Sequence, residues 1–267
     1  MNGWRQRSSV SSRVLTAASL LCLLLAPLVA PFDPLAVETS QQLAAPGQTY
    51  LLGTDLLGRD VLSRFLFGGR QSLLIAAGAS ALAMAFALVL RLTALGSGPV
   101  GEAMLDIVNQ ALLAVPPLVL ALTITTLAGR GEFAILLAAG LTQIAPFLRT
   151  TLVAERQARG LGQIEAARSL GATRFHLWRF HLLPAMSPVL AASAGVVFAQ
   201  ALLMAAALSF LGFGGEISSP EWGRMLYEGR QVLRVAPWVA LAPGIGITLL
   251  VIIVNRGLRR LAAHPHG

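Results

Sequence analysis

Gln163-Ile164-Glu165-Ala166-Ala167-Arg168-Ser169-Leu170-Gly171 stands inside a long polar interruption, Arg149 to Pro184, of a chain that is otherwise largely apolar. Ile164, Ala167 and Leu170 recur at helical spacing, while Glu165 and Arg168 fall elsewhere on the turn. Gly171 suits the left-handed residue that closes a helix. Thr173 is placed to cap a second short helix, with Phe175, Trp178 and Leu182 on one stripe. The expected element is helix, turn, helix, outside the membrane, with Ala166 and Ala167 facing outward so that another surface can approach closely. The same pattern also fits an interfacial hairpin resting on lipid headgroups, with Trp178 as its anchor.

Working outward, the flanks are built for lipid. Of 267 residues, 55% belong to the AVILMFWYC set and 12% are charged, about half the charged share of a soluble globule; the mean hydropathy is +0.71. A bilayer core needs about 20 mainly apolar residues in helix, and six stretches approach that: 14–30, 72–95, 104–128, 133–151, 186–211 and 237–258. The first follows Arg5, Arg7 and Arg13 as a signal peptide would. It is long for one, however, and ends in Pro31-Phe32-Asp33-Pro34 without a clean cleavage site, so a retained span is expected. With the N-terminus inside, 13 of the 20 arginines fall on inner segments, as the positive-inside bias requires. The expected fold is therefore an all-α integral membrane bundle of six transmembrane helices with both termini cytoplasmic. Its divisions are 1–31 (N-terminus and first span), 32–71 (outer loop), 72–258 (five-span core with an inner loop at about 152–185) and 259–267 (tail).

Composition also removes whole classes of function. The 20 basic residues are all Arg, and a P-loop needs its lysine, so the chain is not a P-loop ATPase by itself. Arginines bracket the apolar runs instead of forming a basic face, which argues against a nucleic-acid partner. Cys22 is the single cysteine, so there is no disulfide framework and no cysteine metal cluster. Arg91 and Asp106 are the charged groups inside spans, both near inner ends; a proton-coupled carrier with its own midplane site is disfavoured. Asn109, Gln110, Gln143 and Gln200 either line a wet path or join helices by hydrogen bonds. A membrane hydrolase would need a nucleophile beside a base. Yet His176 and His181 lie in the inner loop, His264 and His266 in the tail, and Ser209 has no histidine in a neighbouring span. No metal or cofactor is expected in the chain.

Three motifs carry a family resemblance. Glu165-Ala166-Ala167, then Gly171, then His181-Leu182-Leu183-Pro184 resembles the EAA loop of bacterial ABC importer permeases. Leu52-Gly53-Thr54-Asp55-Leu56-Leu57-Gly58-Arg59-Asp60 is similar to the signature before the second span in the C-type subunit of the dipeptide, oligopeptide and nickel permeases. Ala207-Leu208-Ser209-Phe210-Leu211-Gly212-Phe213-Gly214, with Pro220-Glu221-Trp222-Gly223-Arg224 and Ala236-Pro237-Trp238, continues the likeness, which covers about residues 50 to 255. Arg91 and Gly96-Ser97-Gly98-Pro99 stand where the family has a Gly-Tyr-rich end of the second span.

The resemblance implies the type I ABC importer permease fold and a membrane subunit of a binding-protein-dependent importer for peptides or a related small solute such as nickel complexes. It would work in the bacterial inner membrane without catalysis of its own. Its implied partners are a second homologous permease, two ABC ATPase subunits that bind ATP and Mg, a periplasmic or lipid-anchored solute-binding protein, and membrane lipid. Glu165, Ala166, Ala167, Leu170 and Gly171 would form the coupling helix that docks on the ATPase. Gly53, Thr54, Asp55, Gly58, Arg59 and Asp60 would shape the outer gate region: glycines beside Asp and Arg suit a turn with internal charge pairing, followed by a short amphipathic helix along the membrane. A short re-entrant or surface helix is expected between the fifth and sixth spans, with Trp222 and Trp238 at the lipid interface. The competing classes are a stand-alone channel or secondary carrier, and an integral-membrane hydrolase.

Overall fold

The computed structural model describes residues 21, 24–215 and 219–262. The expected first span falls largely outside the described residues, which include its helical turn Ala26–Val29; His264 and His266 also lie outside them.

Helix α1, Val61–Gly96, has 36 residues and is about 54 Å long at 1.5 Å per residue, against a hydrocarbon core of about 30 Å. It begins at Val61, where Asp60 Oδ2 accepts Ser63 N at 2.8 Å and caps the first turn. The short membrane-surface helix expected after Asp60 is therefore the first turns of a span. Helices α2 (Gly98–Ala114) and α3 (Pro117–Ala128) occupy the expected third span and meet at 90°, so that span is broken. The cause is local: Pro116 and Pro117 donate no backbone hydrogen bond and push the residue before them out of the helical region. Val115 and Pro116 accordingly adopt ψ of 127° and 125°. Helix α4, Glu132–Arg159, runs past the expected end at 151.

After the short helix α5 (Gly162–Ser169) comes α6, Arg174–Phe213, 40 residues that run as one helix until Gly212 turns to φ 92°. It fuses the expected second short helix with the fifth span through a widened turn at Trp178–Leu182. A second widened turn, Ser209–Phe213, ends it. Helix α7, Trp222–Gly229, is the expected short helix between the last two spans, and α8, Trp238–Ala262, is the last. Among the described residues α1, α4, α6 and α8 are long and apolar enough to cross a membrane, and the bent pair α2–α3 makes a fifth if counted as one span.

Small residues decide how these helices pack. Ala76, Ala79, Ala83 and Ala87 lie three or four apart on one face of α1 and are fully buried, and Ala134, Ala138, Ala139 and Ala145 of α4 are buried as well. Without a solvent-driven force between helices in lipid, such stripes gain stability by letting backbones approach closely. Phe147 and Leu148 of α4 and Val197 of α6 fill the layer towards the inner end. Trp222, Met225, Val239 and Leu250 fill the one around α7 and α8.

Candidate functional site

At the outer end, as assigned by the arginine count, Asp55 gathers the loop before α1. Its Oδ1 accepts Leu57 N and Arg59 N at 2.8 and 3.0 Å, and its Oδ2 accepts Arg59 Nε at 2.7 Å and Arg64 Nη1. Both arginines continue to Glu228 Oε2 of α7, at 2.8 Å from Arg59 Nη2 and 2.7 Å from Arg64 Nη1. Arg224 Nε reaches Glu228 Oε1 at 3.2 Å. Arg64 is 1% exposed, so these charges are withdrawn from water and depend on one another. The internal Asp/Arg pairing expected of this segment is present, and Glu228, outside any motif read from the sequence, completes it. The i,i+4 spacing of Arg224 and Glu228 was its only local signal.

The rest of the signature is structural as well. Gly53 and Gly58 both have positive φ, 71° and 77°. A Cβ on Gly58 would run into the Glu38 carbonyl oxygen, so only glycine fits there. Thr54 Oγ1 accepts Ala44 N at 2.8 Å and donates to the Gln41 carbonyl. The two outer tryptophans are packing and hydrogen-bonding groups. Trp222 is buried, stacks on Phe65 and donates Nε1 to the Phe65 carbonyl at 2.9 Å. Trp238 donates Nε1 to the Thr54 carbonyl at 3.2 Å. Trp222 is thus a core residue and not the interface anchor expected from sequence, while Trp238 is half-buried. Glu221 caps α7 through Gly223 N and Arg224 N at 3.0 and 3.2 Å, and burial raises its carboxyl above the usual carboxylate range.

At the inner end, α5 closes as its sequence dictates. Gly171 has φ 84°, Ala172 N donates to Ala167 O at 3.2 Å, and Thr173 Oγ1 accepts His176 N at 3.2 Å. Ile164 is buried against Leu95, Ala158, Trp178 and Leu182. Trp178 is therefore a core residue of this end and not a headgroup anchor. Leu170 departs from the expected apolar stripe: it is 90% exposed, as is Phe175 at 59%. Glu165 and Ala166 are exposed too, and Ala167 is half-buried.

The four polar residues of the spans separate into pairs. Asn109 and Gln143 are buried, each with a side-chain oxygen that has no protein partner; Gln110 and Gln200 are exposed. Gln200 lines a groove of about 600 Å³ between α4 and α6, with Phe147, Thr150, Val189 and Ser193. Among the described residues no group of three or more His, Cys, Asp or Glu is arranged to hold a metal ion.

Long apolar helices around a small-residue core, with a buried charge cap at one end and an exposed apolar tip at the other, define a polytopic membrane protein. The comparisons give its family. The model of the binding-protein-dependent transport system inner membrane component matches residues 80–264, and the chain belongs to that family. It is a permease subunit of an ABC importer, a multi-pass protein of the bacterial inner membrane. It is 32% identical over 250 residues to the probable D,D-dipeptide transport system permease protein DdpC of Escherichia coli (strain K12), covering 92% of this chain and 83% of that one. It is 36% identical over 246 residues to the di/tripeptide transport system permease protein DppC of Pseudomonas aeruginosa (strain UCBPP-PA14), covering 88% and 80%. In fold it is similar to a chain from the inward-facing MetNI methionine ABC transporter, with a TM-score of 0.63 at 18% identity over 75% of this chain and 95% of that one.

Proposed function

We propose that this chain is one of two related permease subunits of a peptide importer. It has six spans and cytoplasmic termini, and works with a second homologous permease, a pair of ABC ATPase subunits and a periplasmic or lipid-anchored solute-binding protein. The cargo class is di- and tripeptides or a closely related small solute. The relatives' names support this, and the Gln200 groove, mostly apolar with Thr150, Ser193 and Gln200 as its polar groups, carries no charge that would select a charged cargo.

The observation that carries the coupling reading is the exposed tip of α5. Leu170 is 90% exposed on a segment whose base is locked by Ile164 and Trp178. An apolar side chain held out on a rigid base suits a groove on another protein better than it suits water. Glu165, Ala166, Ala167, Leu170 and Gly171 form the coupling surface for the ATPase, which binds ATP and Mg; this chain contributes no cofactor site. ATP-driven closure of the ATPase pair then moves α5, and the spans pass between inward-open and outward-open states, each favoured by a different nucleotide state. The outer residues Gly53, Thr54, Asp55, Gly58, Arg59 and Asp60 hold the cap that borders the outer gate. Asn109, Gln110, Gln143 and Gln200 belong to the pathway side of the bundle.

The test is purification of the tagged chain from its native membrane in mild detergent, with mass spectrometry of what accompanies it. A second permease and one or two Walker-motif ATPases are expected. A chain that returns alone, under conditions where known membrane complexes stay intact, would return weight to a channel or carrier.

A further inference from the structure

The inner ends of α1, α2 and α4 meet in a charge cluster that the reading above does not use. Arg91, near the end of α1, donates Nε and Nη2 to Glu155 Oε2 and Oε1 of α4 at 2.7 and 2.6 Å, and the two side chains are 2% and 3% exposed. The same Glu155 Oε1 accepts Arg159 Nη2 at 2.6 Å. Glu102 Oε1 of α2 stands 3.5 Å from Arg91 Nη2 and 3.8 Å from Arg159 Nη2, at a partly exposed edge. Two guanidinium groups thus face two carboxylates, so the cluster is neutral. Its contacts are of two strengths. The buried two-pronged grip of Arg91 on Glu155 is the strong kind, and the longer, water-accessible contacts to Glu102 are the weak kind.

Placement gives this difference a use. Leu161 N donates to Ala158 O at 3.0 Å and Ile164 N to Leu161 O at 2.9 Å, so α5 follows α4 through one tight turn and its displacement reaches Arg159 and Glu155 first. Glu102 and Arg159 also wall a cavity of about 260 Å³, whose other side includes Ile164 and Glu165 of α5 and Arg174 and Leu182 of α6.

We propose that Glu155 is a positioning residue for transport: its grip on Arg91 makes the inner ends of α1 and α4 move as one body with α5, while the Glu102 contacts are exchanged between access states and the adjoining cavity takes up the displacement. This rests on the coupling reading of α5.

The test measures distances between spin labels in the assembled importer, this chain with its permease and ATPase partners, without nucleotide and with vanadate-trapped ATP. In a Cys22→Ser background, Gly96→Cys with Leu161→Cys reports α1 against the start of the coupling segment, and Val100→Cys with Leu161→Cys reports α2. A side chain at 96 meets nothing within 4 Å, and Val100 and Leu161 are exposed. The 96–161 distance is expected to keep one narrow distribution in both states while the 100–161 distance shifts. In Arg91→Met/Glu155→Met, which replaces the pair without leaving a lone buried charge, the 96–161 distribution is expected to broaden and to shift with nucleotide. A purely structural pair would instead be replaced by the two methionines without effect. The proposal is overturned if the unmodified pair lets 96–161 shift as far as 100–161, or if the methionine variant keeps a narrow, unshifted distance. A label at Leu170→Cys separates the two levels: if the ATPase subunits leave its mobility unchanged, the coupling reading itself fails. If they immobilise it while the 96–161 results go the other way, the Glu155 proposal alone falls.

Discussion

The outer cap and the segment proposed to couple to the ATPase present opposite surfaces. In the cap, Asp55, Arg59, Arg64 and Glu228 are largely withdrawn from water and pair with one another within the chain. Just past α5, Leu170 is apolar and 90% exposed, with no cover from this chain.

The largest effect that would break this contrast is at Arg64. Arg64→Met leaves Asp55 and Glu228 each with one cation fewer, Arg59 being the one they still share; breaking a buried ion pair costs up to about 3–5 kcal/mol. Thermal unfolding in detergent is expected to show a large fall in Tm, with little folded protein recovered. An unchanged Tm would mean that the cap does not hold the outer end.

Gly171→Val probes the other end. It places a β-branched residue at φ 84°, a strain of about 1–2 kcal/mol, where an added Cβ meets nothing within 4 Å. Membrane abundance is expected to stay normal while uptake and cargo-stimulated ATP hydrolysis fall several-fold. Normal uptake at equal abundance would end the coupling assignment.

The smallest effect sharpens the account of the cap through pH. Burial raises the Glu221 carboxyl, so the folded state holds its proton more tightly than the unfolded one. That contribution is fully present below the unfolded value and is lost as pH rises through the folded value. Tm in detergent is therefore expected to decline as pH rises from the ordinary carboxylate range through the raised one, and Glu221→Gln is expected to flatten the decline. A variant with the same slope as the unmodified chain would assign the decline to other groups.

Much of the inner segment was legible in sequence because its signals are local. Gly171 and Thr173 end one helix and start the next through hydrogen bonds to residues at most five apart. The break at Val115-Pro116-Pro117 was equally local, but apolarity continues across it, so hydropathy alone reads one span over 104–128. Tryptophan placement was not legible: Trp178 and Trp222 suit an interface or a core equally well until the facing helices are known.

By itself the sequence determined a membrane chain of long apolar helices whose arginines cluster between them and whose long polar loop folds as helix, turn, helix, because period, length and charge bias are properties of short stretches. Only the tertiary structure decided that Arg64 meets Glu228 across 164 residues, that Arg91 meets Glu155 across 64, and that Trp178 is core. Those outcomes depend on which faces of α1, α4, α6 and α7 come together. That is set by the close packing of small residues along whole helices, and no local window contains it.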